Sequence, residues 1–203
     1  MTDFYFIRHG QTKANALGLK QGTINTELTY LNEVGEQQAQ HLHDNFDISF
    51  ADRVIVSPLT RTKRTAEVLN QTAQLPVTED IRLLEISYGD WDGQKNADLE
   101  ADHGEVFDPV LHDVLPTYVD LTENGESFKH VEERADAVMQ DYAKQDPDGK
   151  FIVVTHGFTV KAAVLAALKP ESVMALPEPE NTSLTKISLI DGRYYVWYYN
   201  RVK

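Results

Sequence analysis

The stretch Phe4-Tyr5-Phe6-Ile7-Arg8-His9-Gly10 begins with four apolar residues and ends abruptly in an arginine, a histidine and a glycine. Such an order is typical of a buried β-strand that passes directly into a loop. The same order recurs in Val54-Ile55-Val56, which runs into Ser57-Pro58, and in Phe151-Ile152-Val153-Val154, which runs into Thr155-His156-Gly157. Continuous apolar runs of this kind predict strands that are covered on both faces of a parallel sheet.

Helical patterns lie between these strands. Amphipathic stretches cover residues 31–46, residues 128–143, and a segment that starts at Ser57-Pro58 and ends near residue 72. In that last segment we expect Ser57 to cap the helix and Pro58 to occupy its first position, because proline suits the first turn. The side chains of Ala66 and Leu69 are expected to face inward.

The C-terminal part of the chain predicts a buried helix and a hairpin. Residues 158–168 are nearly all apolar, and residues 185–190 and 194–199 flank the turn sequence Asp191-Gly192. Together with the preceding elements they give a β–α–β order, which predicts a three-layer α/β/α sandwich with a mostly parallel central sheet. The 203 residues fit one domain over 1–203 and suffice to bury a substantial core.

The composition excludes several classes of protein and site. The net charge of −13 argues against general binding of nucleic acids or anionic membranes, whose phosphates repel a net anion. The chain has no cysteine, so disulfides, thiolate metal sites and cysteine nucleophiles are excluded. The N-terminal sequence MTDFYFIRHG lacks the basic and apolar regions of a signal peptide, and no apolar run approaches the ~20 residues of a membrane span. These features predict a cytoplasmic protein.

An irregular and acidic segment interrupts the pattern at about 96–127. Residues 96–126 contain nine Asp or Glu residues and no Lys or Arg. A block of like charge is usually a solvated face, although it can also form a lid over a site. We therefore expect an insertion into the domain, with both alternatives open.

Polar side chains follow three of the predicted strands at their carboxyl ends, where parallel α/β sheets bind ligands. They include Arg8 and His9 after the first strand, Arg61 shortly after the second, and His156 after the third. Each of them alone would be an ordinary loop or surface residue. Two guanidinium groups, two imidazoles and the free N–H groups of helix N-termini together predict a site for a phosphoryl group.

These residues also carry a resemblance to a known family. Four ordered motifs resemble those of the histidine phosphatase superfamily, in its phosphoglycerate mutase-like branch: Arg8-His9-Gly10-Gln11-Thr12 with Asn15, Ser57-Pro58-Leu59-Thr60-Arg61 with Thr65-Ala66, Leu84-Glu85 with Gly89, Trp91 and Gly93, and Thr155-His156-Gly157. Gly125-Glu126-Ser127 matches a lesser family pattern. The resemblance implies the phosphoglycerate mutase-like fold.

The resemblance also implies roles for individual residues. His9 would be the nucleophile that forms a phosphohistidine, and Arg8, Arg61 and His156 would hold the phosphoryl oxygens. Glu85 would be the general acid, although a glutamate at that position could instead only satisfy a helix N-terminus. The implied substrate contacts are Arg8, Asn15, Gln21, Gly22, Arg61, Glu85, His156 and Gly157.

No metal or cofactor is implied. The closest pair of histidines, His41 and His43, cannot share a helix face, and neither a Walker loop nor a dinucleotide fingerprint occurs. The expected partners are a small phosphorylated metabolite and, as product, inorganic phosphate, with no nucleic acid and no membrane. The oligomeric state stays open between monomer and dimer.

Three functions fit these motifs. The first is hydrolysis of a small phosphomonoester, and the second is a cofactor-dependent phosphoglycerate mutase reaction. The third, a non-catalytic phospho-ligand-binding protein, fits least because every residue of the catalytic set is present.

Mutases of the family carry an Arg-His-Tyr-Gly run after the acid, whereas this chain has Ile86-Ser87-Tyr88-Gly89. The missing basic pair favours the phosphatase and leaves the substrate open.

Overall fold

The computed structural model describes residues 1–203 and is built around one six-stranded sheet. The strands are β1 (Thr2–Arg8), β2 (Arg53–Val56), β3 (Val77–Glu79), β4 (Lys150–Thr155), β5 (Leu184–Ile190) and β6 (Arg193–Arg201). Their order across the sheet is β3-β2-β4-β1-β5-β6. The first four strands are parallel to one another, while β5 is antiparallel to both β1 and β6. The predicted mostly parallel sheet and closing hairpin are confirmed.

Six α-helices accompany the sheet: α1 (Lys13–Ala16), α2 (Glu33–Asn45), α3 (Thr60–Leu69), α4 (Asn96–Asp102), α5 (Phe128–Gln145) and α6 (Gly157–Leu168). Side chains of one sheet face, such as Phe6 and Val153, pack with α5 and α6 in the larger apolar core. Side chains of the other face, such as Ile7 and Val154, pack with α2 and α3 in a second core. Because successive residues of a strand point to opposite faces, these continuous apolar runs fill both cores, and the three-layer prediction is confirmed.

The strand pairing brings the predicted site residues to one edge of the sheet. Arg8 stands opposite Thr155 in the pairing of β1 with β4, and Val56 stands opposite Val154 in the pairing of β2 with β4. The three strands therefore end side by side. The loops that leave them begin in the same small region, so their first residues can form one site.

The start of α3 differs from the prediction. The helix begins at Thr60 and not at Pro58, and its N-cap residue, Leu59, supplies no side-chain hydrogen bond. The expected capping role of Ser57 is wrong, because its hydroxyl lies 2.7 Å from Nε2 of His156. The expectation that Ala66 and Leu69 face inward is confirmed, since both are buried.

Two short elements had no sequence pattern strong enough to predict them. The three residues of β3 are exposed or half-buried, and α1 is a single turn. A third, α4, lies in the acidic segment that the sequence presented as irregular. None of the helices combines the length and the apolar character needed to cross a membrane.

The acidic segment is anchored by its apolar residues. Leu99, Phe107, Val114 and Tyr118 are all buried and belong to the larger core. Between these anchors, Asp113 reaches inward to a lysine of the N-terminal loop, Lys20. The segment is therefore packed onto the sheet layer rather than standing free in solvent.

Candidate active site

A polar pocket of about 360 Å³ opens at the carboxyl ends of β1, β2 and β4. Seven of the predicted site residues line it: Arg8, His9, Asn15, Gln21, Gly22, Arg61 and Glu85. Two predicted residues do not. His156 is fully buried behind the pocket wall, and Gly157 lies beneath the side chain of Arg8.

His9 sits at the end of β1 with its ring almost completely buried. Its Nδ1 lies 2.7 Å from the carbonyl oxygen of Gly10. Because a carbonyl only accepts, Nδ1 carries the proton and Nε2 keeps a free lone pair. Burial, followed by the charges of Arg61 and Arg8, holds the pKa of His9 well below its usual value. The imidazole is therefore neutral at physiological pH, as a nitrogen nucleophile has to be.

Arg8 supplies the first cation of the pocket. Its Nη1 donates to the carbonyl oxygen of Pro179 across 2.6 Å and lies 3.6 Å from Glu178 Oε2. Its Nε is buried and has no hydrogen-bond partner in the chain. A buried unpaired donor is costly, so this N–H is a specific reason to expect an anionic ligand at this point.

Arg61 supplies the second cation and is held by its surroundings on three sides. Its Nη1 and Nη2 donate to the carbonyl oxygens of Ile24 and Gly22, across 2.9 and 2.7 Å, and its Nε donates to Nδ1 of His156 across 3.2 Å. Burial lowers the pKa of Arg61 to about 10, so its charge persists at neutral pH. Two further N–H bonds of the guanidinium stay free for a ligand.

The ring of His156 has both nitrogens engaged by protein groups. Nδ1 accepts from Arg61, so Nε2 carries the proton and donates to Ser57 Oγ. Burial and the adjacent Arg61 charge lower the pKa of His156 well below its usual value. The ring of His156 also packs edge-on against that of His9, with 5.3 Å between the ring centres. The direct phosphoryl contact that the family resemblance implies for His156 stays a prediction.

Glu85 lines the pocket and also holds the start of α6. Its carboxylate accepts hydrogen bonds from the backbone N–H groups of Ile86, Phe158 and Thr159 and from the Thr159 hydroxyl, over 3.0 to 3.2 Å. The two alternatives for this residue are thus compatible. The helix N-terminus fixes the carboxylate, and the fixed carboxylate faces the pocket.

The amide side chains on the loop after β1 are oriented by Thr12. Its backbone N–H and its hydroxyl both meet Asn15 Oδ1, and its hydroxyl also lies 2.8 Å from Gln21 Oε1. The NH₂ groups of Asn15 and Gln21 make no hydrogen bond within the chain and are available as donors. Gly22 contributes through its backbone, since its carbonyl holds Arg61 and its φ of +47° suits glycine.

The pocket also contains charged residues that belong to none of the four motifs. They are Lys20, Asp113 and Glu178. Lys20 Nζ lies 2.6 Å from Asp113 Oδ1 across a separation of 93 residues, and Glu178 belongs to the loop between α6 and β5. The only sequence signal for Asp113 as a pocket residue was the acidic character of residues 96–126. No motif indicated that Glu178 would line the pocket.

A family model for the histidine phosphatase superfamily (branch 1) matches residues 4–201, nearly the whole chain. This chain belongs to the histidine phosphatase superfamily. Among curated relatives, an adenosylcobalamin/alpha-ribazole phosphatase from Escherichia coli is 32% identical over 155 residues, 75% of this chain and 72% of its own length. A probable phosphoglycerate mutase from Citrobacter koseri is 28% identical, over 97% of this chain and 88% of its own.

Solved structures resemble this histidine phosphatase over its full length. Bacillus stearothermophilus YhfR is 27% identical with a TM-score of 0.85, covering 100% of this chain and 98% of its own. A mycobacterial glucosyl-3-phosphoglycerate phosphatase, solved with VO3, is 28% identical with a TM-score of 0.81, covering 98% of both chains. The relatives thus include named phosphatases and a probable mutase, and the solved structures share the fold of this chain.

The pair that replaces the basic residues of mutases lies off the pocket in this histidine phosphatase. Ile86 is fully buried in the larger core. The carbonyl oxygen of Ser87 accepts from the Glu126 backbone N–H across 2.7 Å and from the Tyr118 hydroxyl across 3.2 Å. Neither residue lines the pocket, and neither carries a positive charge that could hold a second phosphate.

Proposed function

We propose that this histidine phosphatase hydrolyses a small phosphomonoester metabolite through a phosphohistidine on His9. One observation carries the proposal: a neutral imidazole, fixed with its Nε2 lone pair free, lies in a polar pocket with the buried Arg61 and the half-buried Arg8. A neutral ring can attack phosphorus, while the arginines attract the phosphoryl dianion and stabilise charge in the transition state.

In the first step Nε2 of His9 attacks phosphorus, and the P–N bond forms as the P–O bond to the alcohol breaks. Glu85 has to enter this step protonated, which the negative charge of the bound phosphoryl group favours. It gives that proton to the leaving oxygen, because an alkoxide leaves poorly. Arg8 and Arg61 hold the phosphoryl oxygens, and the NH₂ groups of Asn15 and Gln21 are further donors for them. The Nδ1–H of His9 keeps its hydrogen bond to Gly10 throughout.

In the second step water attacks the phosphohistidine and the P–N bond breaks. Glu85, now a carboxylate, takes a proton from that water, and inorganic phosphate leaves. Ester and water are thereby converted into alcohol and phosphate, and both His9 and Glu85 return to their starting states. The two steps divide one difficult displacement into two easier ones.

His156 and Gly157 support this site from behind. His156 fixes the plane of Arg61 through the bond to Nε. A Cβ on Gly157 would lie 2.4 Å from Glu178 Oε2 and 3.1 Å from Arg8 Cζ, so only glycine lets these side chains pack there. We assign both residues to positioning of the arginines.

The second candidate is the mutase reaction, which the probable mutase among the relatives favours. A mutase must hold a second phosphate, yet Lys20 is paired with Asp113. Arg64 is exposed and bound to Glu36 and Glu67. Hydrolysis is therefore our first choice. We further propose a cytoplasmic location, which suits a chain without cysteine.

The proposal is tested by a panel of phosphomonoester metabolites with phosphate release as the readout. The panel should include p-nitrophenyl phosphate, whose leaving group needs no acid, so that a poor choice of metabolite cannot hide the activity. We expect turnover without any added primer. Phosphate release from no member of the panel would contradict the proposal.

A further inference from the structure

The part of the pocket beyond the arginines contains one lysine whose charge is already compensated. Lys20 Nζ contacts Asp113 at 2.6 Å and lies 4.5 Å from the centre of the Tyr88 ring. The side chains of Lys20 and Asp113 are 7% and 18% exposed, so solvent screens this pair weakly. A ligand that meets this wall meets an ion pair and not a free cation.

Glu178 is the carboxylate on the same wall that has no such partner. Its side chain accepts no hydrogen bond from the chain, and its only ion-pair partner within 4 Å is Arg8, at 3.6 Å. The loop that carries it is tied down on both sides. Pro179 O accepts from Arg8, Pro177 O accepts from the Tyr199 hydroxyl, and Asn181 Nδ2 donates to His9 O.

The electrostatic surroundings of Glu178 are unfavourable to a further anion. Burial and the repulsion of Asp113 raise the pKa of Glu178 to about 7, with Glu85 adding to the effect and the charges of Arg8 and Lys20 opposing it. A phosphoryl dianion bound by Arg8 would neutralise much of the positive charge that stabilises the Glu178 carboxylate. Glu178 would then lie close to a bound anion and two other acids, which favours its protonated form. A positive group beside it would keep it ionised and would relieve the repulsion.

We propose that Glu178 selects the alcohol half of the substrate, favouring a phosphorylated amino alcohol and disfavouring a phosphorylated hydroxy acid. The inference rests on the proposed phosphatase function and names the substrate class of the same pocket. An ammonium group a few bonds from the ester oxygen would donate to the unpartnered carboxylate. A carboxylate in its place would either be repelled by the ionised Glu178 or force it to take up a proton, so it binds less well in both cases. Lys20 could not compensate because it is bound to Asp113.

Three two-carbon phosphomonoesters test this inference, because they differ mainly in the charge of the distal group. They are O-phosphoethanolamine, 2-hydroxyethyl phosphate and phosphoglycolate, which carry an ammonium, a hydroxyl and a carboxylate group. For the wild-type enzyme we expect kcat/KM to fall in that order. A hydrogen bond between charged groups is strong enough for about a tenfold preference at each step.

Glu178→Gln then separates substrate selection from simple support of Arg8. We expect kcat/KM to fall about tenfold for phosphoethanolamine and to rise for phosphoglycolate, with little change for the hydroxyl compound. A residue that only positions Arg8 would shift all three in the same direction. Glu180→Gln, an exposed acid two residues further on, is the matched control and should leave all three unchanged.

Competitive inhibition by inorganic phosphate reports whether Glu178→Gln keeps a folded phosphoryl site. Equal kcat/KM for all three compounds in the wild type, or parallel changes in the variant, would overturn the inference while leaving the proposed function intact. Turnover of p-nitrophenyl phosphate but of none of the three compounds would likewise overturn the inference and leave the proposed function intact. Absence of all phosphate release would instead contradict the proposed function, and the inference with it.

Discussion

Arg61 donates its Nε–H to Nδ1 of His156 across 3.2 Å, and both side chains are buried. The bond requires a neutral His156, because a protonated Nδ1 could not accept. It also fixes the tautomer, so the Nε2–H must find an acceptor elsewhere, and it finds Ser57 Oγ at 2.7 Å. A chain of three side chains, two from the motif at residues 57–61 and one from the motif at residues 155–157, thus determines where one cation of the pocket lies.

Ser57→Ala should destabilise the protein by about 1–3 kcal/mol, the cost of leaving a buried donor unsatisfied. The donor concerned is Nε2–H of His156, which has no other partner. Urea unfolding monitored by fluorescence would measure the loss. Ser49→Ala is the control, because its hydroxyl is exposed. An unchanged free energy of unfolding for Ser57→Ala would show that His156 does not depend on this hydroxyl.

His9→Ala should abolish turnover while the protein stays folded. Nε2 of His9 is the atom that would accept the phosphoryl group, and no other side chain in the pocket offers a neutral nitrogen with a free lone pair beside both arginines. Acid quenching during turnover of labelled substrate should leave acid-labile, base-stable label on His9. His41→Ala, at an exposed position, should retain full activity. Label on His156 would contradict the assignment.

The depressed pKa values of His9 and His156 predict how stability depends on pH. Both rings resist protonation in the folded state but would bind protons below about pH 6.5 once unfolded. The unfolded state therefore binds more protons in this range, and stability falls as the pH is lowered from 7 to 5. Each histidine contributes a slope of up to about 1.4 kcal/mol per pH unit.

Urea unfolding of the wild type and of His9→Gln at several pH values checks this. The variant should have a shallower decline between pH 7 and 5, because one of the two groups no longer titrates. Equal slopes for the two proteins would mean that His9 is protonated equally easily in both states. The same low pKa predicts that activity is retained well into mildly acidic pH before His9 is protonated.

The sequence was sufficient for the part of the site that strand ends create. Apolar runs indicated three parallel strands, and parallel strands end together, so Arg8, His9, Arg61 and His156 could be expected in one region. Such runs predict strands from local sequence alone, without any knowledge of how the loops fold. The helix start at Thr60 was missed because Ser57 has two possible uses, capping a helix or bonding His156, and local sequence cannot choose between them.

The charged wall of the pocket could not be predicted in this way. Lys20 and Asp113 meet across 93 residues of sequence, and neither follows a strand. Glu178 lies in Pro177-Glu178-Pro179, where the prolines indicate only a stiff loop. Their positions depend on how the acidic segment and the loop before β5 fold over the sheet. Those paths are set by tertiary packing, such as the burial of Phe107, Val114 and Tyr118.

Glu85→Gln should slow the hydrolysis of alkyl phosphates about 10²–10⁴-fold and affect p-nitrophenyl phosphate much less. Proton donation matters most when the leaving oxygen is basic. The substitution also places an NH₂ group among N–H donors at the start of α6, so some loss of stability is expected. The ratio of alkyl to aryl rates is the informative measurement, because a purely structural loss lowers both rates equally.

The phosphatase should release phosphate from monophosphorylated metabolites and barely exchange 2- and 3-phosphoglycerate, even with the bisphosphorylated primer present. A mutase has to retain a doubly phosphorylated intermediate while it turns over, which needs cations beyond the first phosphoryl site. Here the buried Ile86 and the backbone-bonded Ser87 replace the basic pair, and Lys20 is neutralised by Asp113. Phosphate release and isomer exchange should be measured on one enzyme sample.

Asp113→Asn makes this comparison sharper, because it removes the charge that compensates Lys20 while preserving a side chain of similar shape. A free Lys20 should attract a second phosphate, so 2,3-bisphosphoglycerate should inhibit the variant more strongly than the wild type. Asp120→Asn, an exposed acid of the same segment, is the control. Primer-dependent exchange that outpaces hydrolysis in the wild type would reverse our preference for the phosphatase, since it would mean that the Lys20–Asp113 pair opens during turnover and provides the second cationic site itself.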